Sequence, residues 1–162
     1  MNYFQILLVI ATVTVALVAG LMYAFSVSVN KGIGKLGDAP YLTAMQSINR
    51  EIINPLFMAS FLGSLLLLPA IAWLSYNVTG RQTFHLSLLA AIIYAVAVFG
   101  VTMGGNIPLN NDLEKFKVAE ASADLMTAKR SLFEESWNMY HTVRTFASVI
   151  ALVLMVIACV TY

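Results

Sequence analysis

The sequence predicts an all-α integral membrane protein, folded as a four-helix up-and-down bundle with short amphipathic helices at its cytoplasmic end. The first observation is composition: 60% of the 162 residues are hydrophobic and only 10% are charged. Soluble domains are about 45–50% apolar and about 25% charged. The second observation is that four stretches have the roughly 20 mostly apolar residues that a membrane-spanning helix needs.

The predicted spans cover residues 3–29, 54–76, 84–103 and 140–162. No basic segment precedes the first span, and the span is longer than the apolar core of a signal peptide, about 7–15 residues. We therefore expect it to be retained as a transmembrane helix. The connections between the spans are too short for a second domain, so residues 1–162 are expected to form one domain.

The connections differ in length and character. Residues 31–40 hold three glycines and one proline and predict a loop. From Tyr41 the apolar spacing is helical, which predicts that the second helix begins outside the membrane and kinks at Pro55. A tight turn containing Gly80 is expected at residues 77–83. Residues 104–139 form the longest connection, where one or two short amphipathic helices are expected.

Lysine and arginine residues predict the orientation. Arg81 is the one basic residue assigned to the connection between spans 2 and 3, and the other basic residues lie at the opposite end of the predicted bundle. Because basic loops stay in the cytoplasm, connections 1–2 and 3–4 are predicted to be cytoplasmic and both termini outside. The net charge of +1 gives no bulk attraction to nucleic acid, so no nucleic-acid partner is expected.

Polar residues gather where the bundle brings four segments to one end. A His and an Arg that enter a hydrocarbon layer are costly unless they face protein or a water-filled cavity. Trp137, His141 and Arg144 share one helical face, which predicts a pocket. The candidate residues around it are Tyr23 in span 1; Arg50 and Asn54 before span 2; Asn106 and Asn110 after span 3; and Trp137, Asn138, His141 and Arg144 at span 4.

Each of these residues also has a simpler interpretation. Arg144 alone could snorkel to the interface, His141 could bond a neighbouring helix, and Trp137 could belong to an aromatic belt. A plain membrane bundle, however, needs no such concentration at one end. The single cysteine, Cys159, excludes an internal disulfide. Because no residue cluster has haem, zinc or di-iron spacing, no metal cofactor is expected.

Most of these polar residues lie in three segments: A-M-Q-S-I-N-R-E-I-I-N-P at 44–55, G-N-I-P-L-N at 105–110 and W-N-M-Y-H-T-V-R-T at 137–145. In this order, the three segments resemble the anthrone oxygenase-like family of small four-span membrane proteins. The resemblance covers nearly the whole chain. Members of that family with assigned activity oxidise polyketide anthrones to anthraquinones with molecular oxygen, without a metal or flavin. Most members are bacterial, which implies a bacterial inner membrane here.

The resemblance implies a cofactor-independent membrane oxygenase that acts on an aromatic, anthrone- or quinone-like lipophile, with molecular oxygen as co-substrate. His141 is the expected base, since an imidazole titrates near neutral pH, and Arg144 and Asn106 are expected to stabilise the anion. The expected substrate-binding residues are Trp137, Asn138, Asn54, Arg50, Tyr23 and Asn110. The alternative is a non-catalytic membrane protein that binds a lipid or a partner through the same polar cluster. Either protein could form a homo-oligomer.

Overall fold

The computed structural model describes residues 2–78 and 81–162, and this part of the chain is helical without any strand. Its helices are α1 (Tyr3–Ile33), α2 (Asp38–Glu51), α3 (Pro55–Val78), α4 (Arg81–Glu114) and α5 (Ala123–Thr161). Helices α1, α3, α4 and α5 are long and apolar enough to cross a membrane. The predicted fold class is confirmed, whereas the predicted turn at Gly80 lies outside the described residues.

Helices α2 and α3 are separate, which corrects the expectation of one helix kinked at Pro55. Helix α2 ends at Glu51, and α3 begins at Pro55. Proline has no backbone N–H and is favoured at the first position of a helix. The Asn54 side chain caps the new helix, because its Oδ1 accepts hydrogen bonds from the N–H groups of Leu56 and Phe57 at 3.1 and 3.0 Å.

Helices α4 and α5 extend well beyond their predicted spans. Gly104 and Gly105 do not stop α4, which continues to Glu114, and α5 begins at Ala123 after an N-cap at Ser122. The extensions pack with α2 in an apolar cluster that is separate from the core between the four spans. This packing stabilises them. This cluster consists of Tyr41, Leu42, Met45, Leu113, Phe133 and Trp137. The α4–α5 connection is therefore short, and α2 is the amphipathic helix that covers this end of the bundle.

Three π-helical turns interrupt the regular helices close to this end. One lies in α1 at Phe25–Val29, and two lie in α4 at Tyr94–Gly100 and Thr102–Asn106. A π-helical turn inserts an extra residue and so changes which side chains face inward; such turns are frequent at functional sites. The periodicity of a regular helix therefore does not predict the orientation of α1 and α4 here.

Arg130 holds the α1–α2 connection against α5. Its guanidinium donates to the carbonyl oxygens of Gly34 and Leu36 at 2.8 and 2.7 Å, and it bonds the carboxylates of Asp38 and Glu134 at 3.1 and 2.8 Å. A hydrogen bond from Thr127, together with Arg130, lowers the pKa of Asp38. These contacts fix α2 over the end of the bundle.

Gly105 is a position where the close approach of two helices requires glycine. A Cβ atom added there would lie 2.7 Å from Cγ of Tyr140 on α5, whereas one added at Gly104 would meet no atom within 4 Å. We expect Gly105→Ala to lower the free energy of unfolding by about 1–3 kcal/mol through overpacking. Gly104→Ala, the matched control, should be neutral or slightly stabilising. Thermal unfolding in detergent compares them, and equal midpoints would contradict the close-contact account.

Candidate functional site

A cavity of about 370 Å³ lies at the end of the bundle that α2 covers, and all five helices contribute to its wall. Most of the wall is apolar and includes Met22, Phe25, Phe57 and Phe61. Its volume falls within the range of small-molecule pockets, about 300–1,000 Å³. The cavity can therefore hold a small, mainly hydrophobic ligand.

Trp137, His141 and Arg144 form one side of this wall. They lie at positions i, i+4 and i+7 of α5, and their exposed fractions are 5%, 2% and 6%. The indole ring stacks on the imidazole ring with 4.9 Å between centroids and 14° between planes. The Arg144 guanidinium carbon lies 5.6 Å from the Trp137 ring centroid. Stacking thus holds the imidazole in one orientation.

Both nitrogens of His141 have polar neighbours. Nε2 lies 3.0 Å from the Ser26 hydroxyl on α1 and 3.4 Å from the Thr145 hydroxyl one turn along α5. Nδ1 lies 3.4 Å from Nη2 of Arg144. Ser26 belongs to the π-helical turn of α1, and Phe25, its neighbour in that turn, packs edge-on against the imidazole at 5.7 Å.

Arg144 is a buried cation that has no carboxylate partner among the ion pairs of the described residues. Its Nη1 donates to Thr102 Oγ1 at 3.2 Å. Glu114, the acidic residue in the cavity wall, is paired instead with Arg50 at 2.8 Å. An unpaired buried charge costs several kcal/mol, so an anionic group in the cavity would be stabilised.

Three buried side-chain polar atoms lack a hydrogen-bond partner within the described part of the chain, and all three belong to residues of this wall. They are Nδ2 of Asn49, Oδ1 of Asn106 and Nε of Arg144. Buried polar atoms in folded proteins are nearly always bonded. Two donors and one acceptor are therefore left for the polar part of a ligand.

Six of the predicted site residues line the cavity: Arg50, Asn106, Asn110, Trp137, His141 and Arg144. Asn106 donates to the Trp137 carbonyl oxygen at 3.3 Å, and Asn110 accepts from the indole N–H at 2.9 Å. These two asparagines hold α4 against the Trp137 turn of α5. Arg50 and Glu114 are both about half exposed and link α2 to α4 at the mouth of the cavity.

The other three predicted residues, Tyr23, Asn54 and Asn138, do not line it. Tyr23 is 58% exposed, because the rotation of α1 turns Met22 and Phe25 inward instead. Asn138 lies on the adjacent face of α5, where its Oδ1 accepts from Asn30 at 2.9 Å. Asn54 is used as the cap of α3.

Sequence reasoning missed several residues of the wall. The sequence does not mark Thr102 as a site residue, because a threonine within an apolar span is usually explained by its hydrogen bond to a carbonyl oxygen of its own helix. It does make that bond, to Val98 at 2.6 Å, and its oxygen also accepts from Arg144. Phe57 and Phe61, which stack on each other at 5.2 Å, are indistinguishable in sequence from lipid-facing aromatics.

Metal ligands are sparse in this region. Across residues 2–78 and 81–162, no three His, Cys, Asp or Glu side chains lie close enough together to hold a metal ion. The imidazole of His141 is held by a serine, a threonine and an arginine rather than by a carboxylate. The site offers hydrogen-bonding and aromatic contacts to an organic ligand.

Arg144→Met tests whether the buried charge supports the fold or a ligand. Replacing a buried ion pair by hydrophobic side chains of similar volume is often neutral or stabilising, by up to about 4 kcal/mol, and the desolvation cost that this removes also applies to the buried charge of Arg144. We expect this variant to unfold at or above the wild-type temperature in detergent. Arg130→Met, the control, removes a guanidinium with four bonded partners and should destabilise. Equal destabilisation by both substitutions would make Arg144 a structural residue.

One comparison with known protein families finds a match. A family model described as anthrone oxygenase matches residues 57–154, more than half of the chain. The match includes the segments of α4 and α5 that carry Thr102, Asn106, His141 and Arg144. No curated protein and no solved structure matches the chain. The chain therefore belongs to the anthrone oxygenase family.

Proposed function

We propose that the protein is a cofactor-independent membrane oxygenase that acts on an aromatic, anthrone- or quinone-like lipophile. The observation that supports this most is the cavity itself: an apolar volume inside a membrane bundle, with one wall of buried, unpartnered polar atoms beside an imidazole. Family membership supports an oxygenase-type reaction. The proposed location is a bacterial inner membrane, with connections 1–2 and 3–4 in the cytoplasm.

The aromatic and apolar side chains of the cavity wall favour a flat, lipophilic substrate. Trp137 lies on one side, and the stacked rings of Phe57 and Phe61 contribute to another. Aromatic rings stack favourably on such side chains. Ile53 and Met103 line the cavity and are also 74% and 41% exposed, so the cavity reaches the outer surface of the bundle. A lipophile dissolved in the bilayer would enter there.

The first chemical step is a proton transfer. An anthrone carries two hydrogens on the carbon opposite its ketone, and His141 removes one of them as a proton. The electron pair of the broken C–H bond spreads onto the ketone oxygen and gives the anthrolate anion. The unpartnered donors of Arg144 and Asn49 lie in the same cavity and hydrogen-bond that oxygen, which lowers the energy of the developing charge.

The second step uses molecular oxygen. The electron-rich anthrolate passes one electron to oxygen, and the two radicals combine into a carbon–oxygen bond. Proton return from the His141 imidazolium gives a hydroperoxide, which loses water as its O–O bond and the remaining C–H bond break. One oxygen atom enters the new ketone and the other leaves as water, so the four-electron oxidation of carbon balances the reduction of oxygen.

Oxygen uptake by the purified protein with a panel of anthrones and hydroquinones tests the proposal. His141→Ala should lower the protein-dependent rate by at least about 100-fold, the usual loss on removing a general base. His85→Ala is the matched control, because His85 lies near the N-terminus of α4, outside this cavity wall. A sample without protein corrects for unaided oxidation. With labelled oxygen gas, the quinone should gain one labelled atom.

Two outcomes would reject the catalytic proposal. One is uptake no faster than in the sample without protein, and the other is uptake that His141→Ala leaves intact. If uptake is no faster than without protein, an anthrone or a lipid that still raises the unfolding temperature of the protein would favour the alternative function. That alternative is the non-catalytic binding of a ligand at the same polar wall.

A further inference from the structure

The hydrogen bonds around His141 can be assigned by counting donors. Thr145 Oγ1 lies 2.8 Å from the His141 carbonyl oxygen, which can only accept, so the threonine hydroxyl hydrogen is used there. Thr145 Oγ1 also lies 3.1 Å from Ser26 Oγ. The carbonyl is the shortest polar contact of the threonine oxygen and takes its hydrogen, which leaves Ser26 as the donor of the second bond.

The serine hydrogen is therefore not available to the imidazole. Ser26 Oγ lies 3.0 Å from Nε2 of His141, and it can only accept in this bond, so Nε2 carries the proton. At the opposite edge of the ring, Nη2 of Arg144 lies 3.4 Å from Nδ1. A guanidinium donates and never accepts, so Nδ1 presents its lone pair. The contacts at both edges of the ring therefore indicate the same tautomer, with the proton on Nε2.

The other groups that face the ring, which include the backbone carbonyl oxygen of Met22 as a hydrogen-bond acceptor, do not change this assignment. Trp137 stacks on one face of the imidazole, and Phe25 packs edge-on against it. Arg144 is the charged group in contact with the ring, and its positive charge opposes a proton on Nδ1 in the resting protein. A proton taken up at Nδ1 would be stabilised when an anion forms beside it.

We propose that Ser26, held by Thr145, fixes His141 in the Nε2–H tautomer and so makes Nδ1 the atom that accepts the substrate proton. Ser26 is a positioning residue, since it acts through the imidazole and not on the substrate. The role of Nδ1 rests on the proposed oxygenase function, whereas the tautomer does not. In the proton transfer, the Arg144 Nη2 hydrogen bond to Nδ1 is given up, a substrate C–H bond breaks, an N–H bond forms at Nδ1, and the electron pair remains on the substrate.

Nitrogen NMR of the imidazole measures the tautomer directly. The chain has two histidines, so His85→Asn leaves His141 as the single source of signal in protein labelled with ¹⁵N-histidine. In detergent at pH 8, without substrate, Nε2 should resonate as a protonated nitrogen and Nδ1 as an unprotonated one. Couplings to the ring hydrogens assign the two signals. A proton on Nδ1 in this protein would overturn the proposal.

Variants test the part played by the two hydroxyls. Ser26→Ala should populate both tautomers of His141, so that the chemical shifts of Nδ1 and Nε2 move toward each other. Ser26→Thr should restore the wild-type shifts. Thr145→Val should act in the same direction as Ser26→Ala. Thr142→Val is its matched control, because Thr142 bonds the carbonyl oxygen of Asn138 at 2.8 Å on an exposed face. Unchanged shifts in Ser26→Ala would overturn the role of Ser26.

Activity separates this inference from the proposed function. In an active protein, Ser26→Ala should lower kcat about tenfold with KM nearly unchanged, less than the roughly 100-fold loss expected without the base. Mixed tautomers with full kcat would overturn the assignment of Nδ1 as the base. If the wild type takes up no oxygen, the oxygenase function fails, and the NMR experiment still decides the tautomer.

Discussion

The cost of burying the Arg144 charge is the constraint that explains how the polar groups of this site are arranged. The guanidinium is 6% exposed, and Thr102 is its hydrogen-bond acceptor on α4. A cation in such a place is tolerated because aromatic and hydroxyl groups surround it and because a cavity lies beside it. Trp137 and His141 complete the same wall, and α2 covers it from the end of the bundle. A bundle selected only for packing would have no reason to retain this charge.

Helices α1, α4 and α5 each contribute a different chemical property to the surroundings of His141 and Arg144. Helix α5 supplies the imidazole and the positive charge, and α4 supplies an acceptor and two asparagines that position Trp137. Helix α1 supplies Ser26, which lies in a π-helical turn. Together they produce a site whose polar atoms are fixed before any ligand arrives. Such preorganisation is the main requirement for stabilising an anion in a medium of low polarity.

The position of the cavity relates this chemistry to the membrane. Its wall joins buried polar groups to residues that are exposed on the outer surface of a bundle whose helices are long enough to cross a bilayer. A lipophilic aromatic substrate concentrates in the bilayer and has little reason to pass through water. Oxygen is likewise more soluble in hydrocarbon than in water. The proposed reaction between the two would therefore be well placed inside a membrane bundle.

The sequence by itself determined the four spans, the end of the bundle where polar groups gather, and the stripe of Trp137, His141 and Arg144. These follow from hydropathy and from the 3.6-residue period of a regular helix. Only the tertiary structure decided that Tyr23 faces outward while Ser26 and Thr102 face the imidazole and the guanidinium. The physical reason is that an apolar span has no polar face to fix its rotation, and a π-helical turn shifts the period without any mark in the sequence.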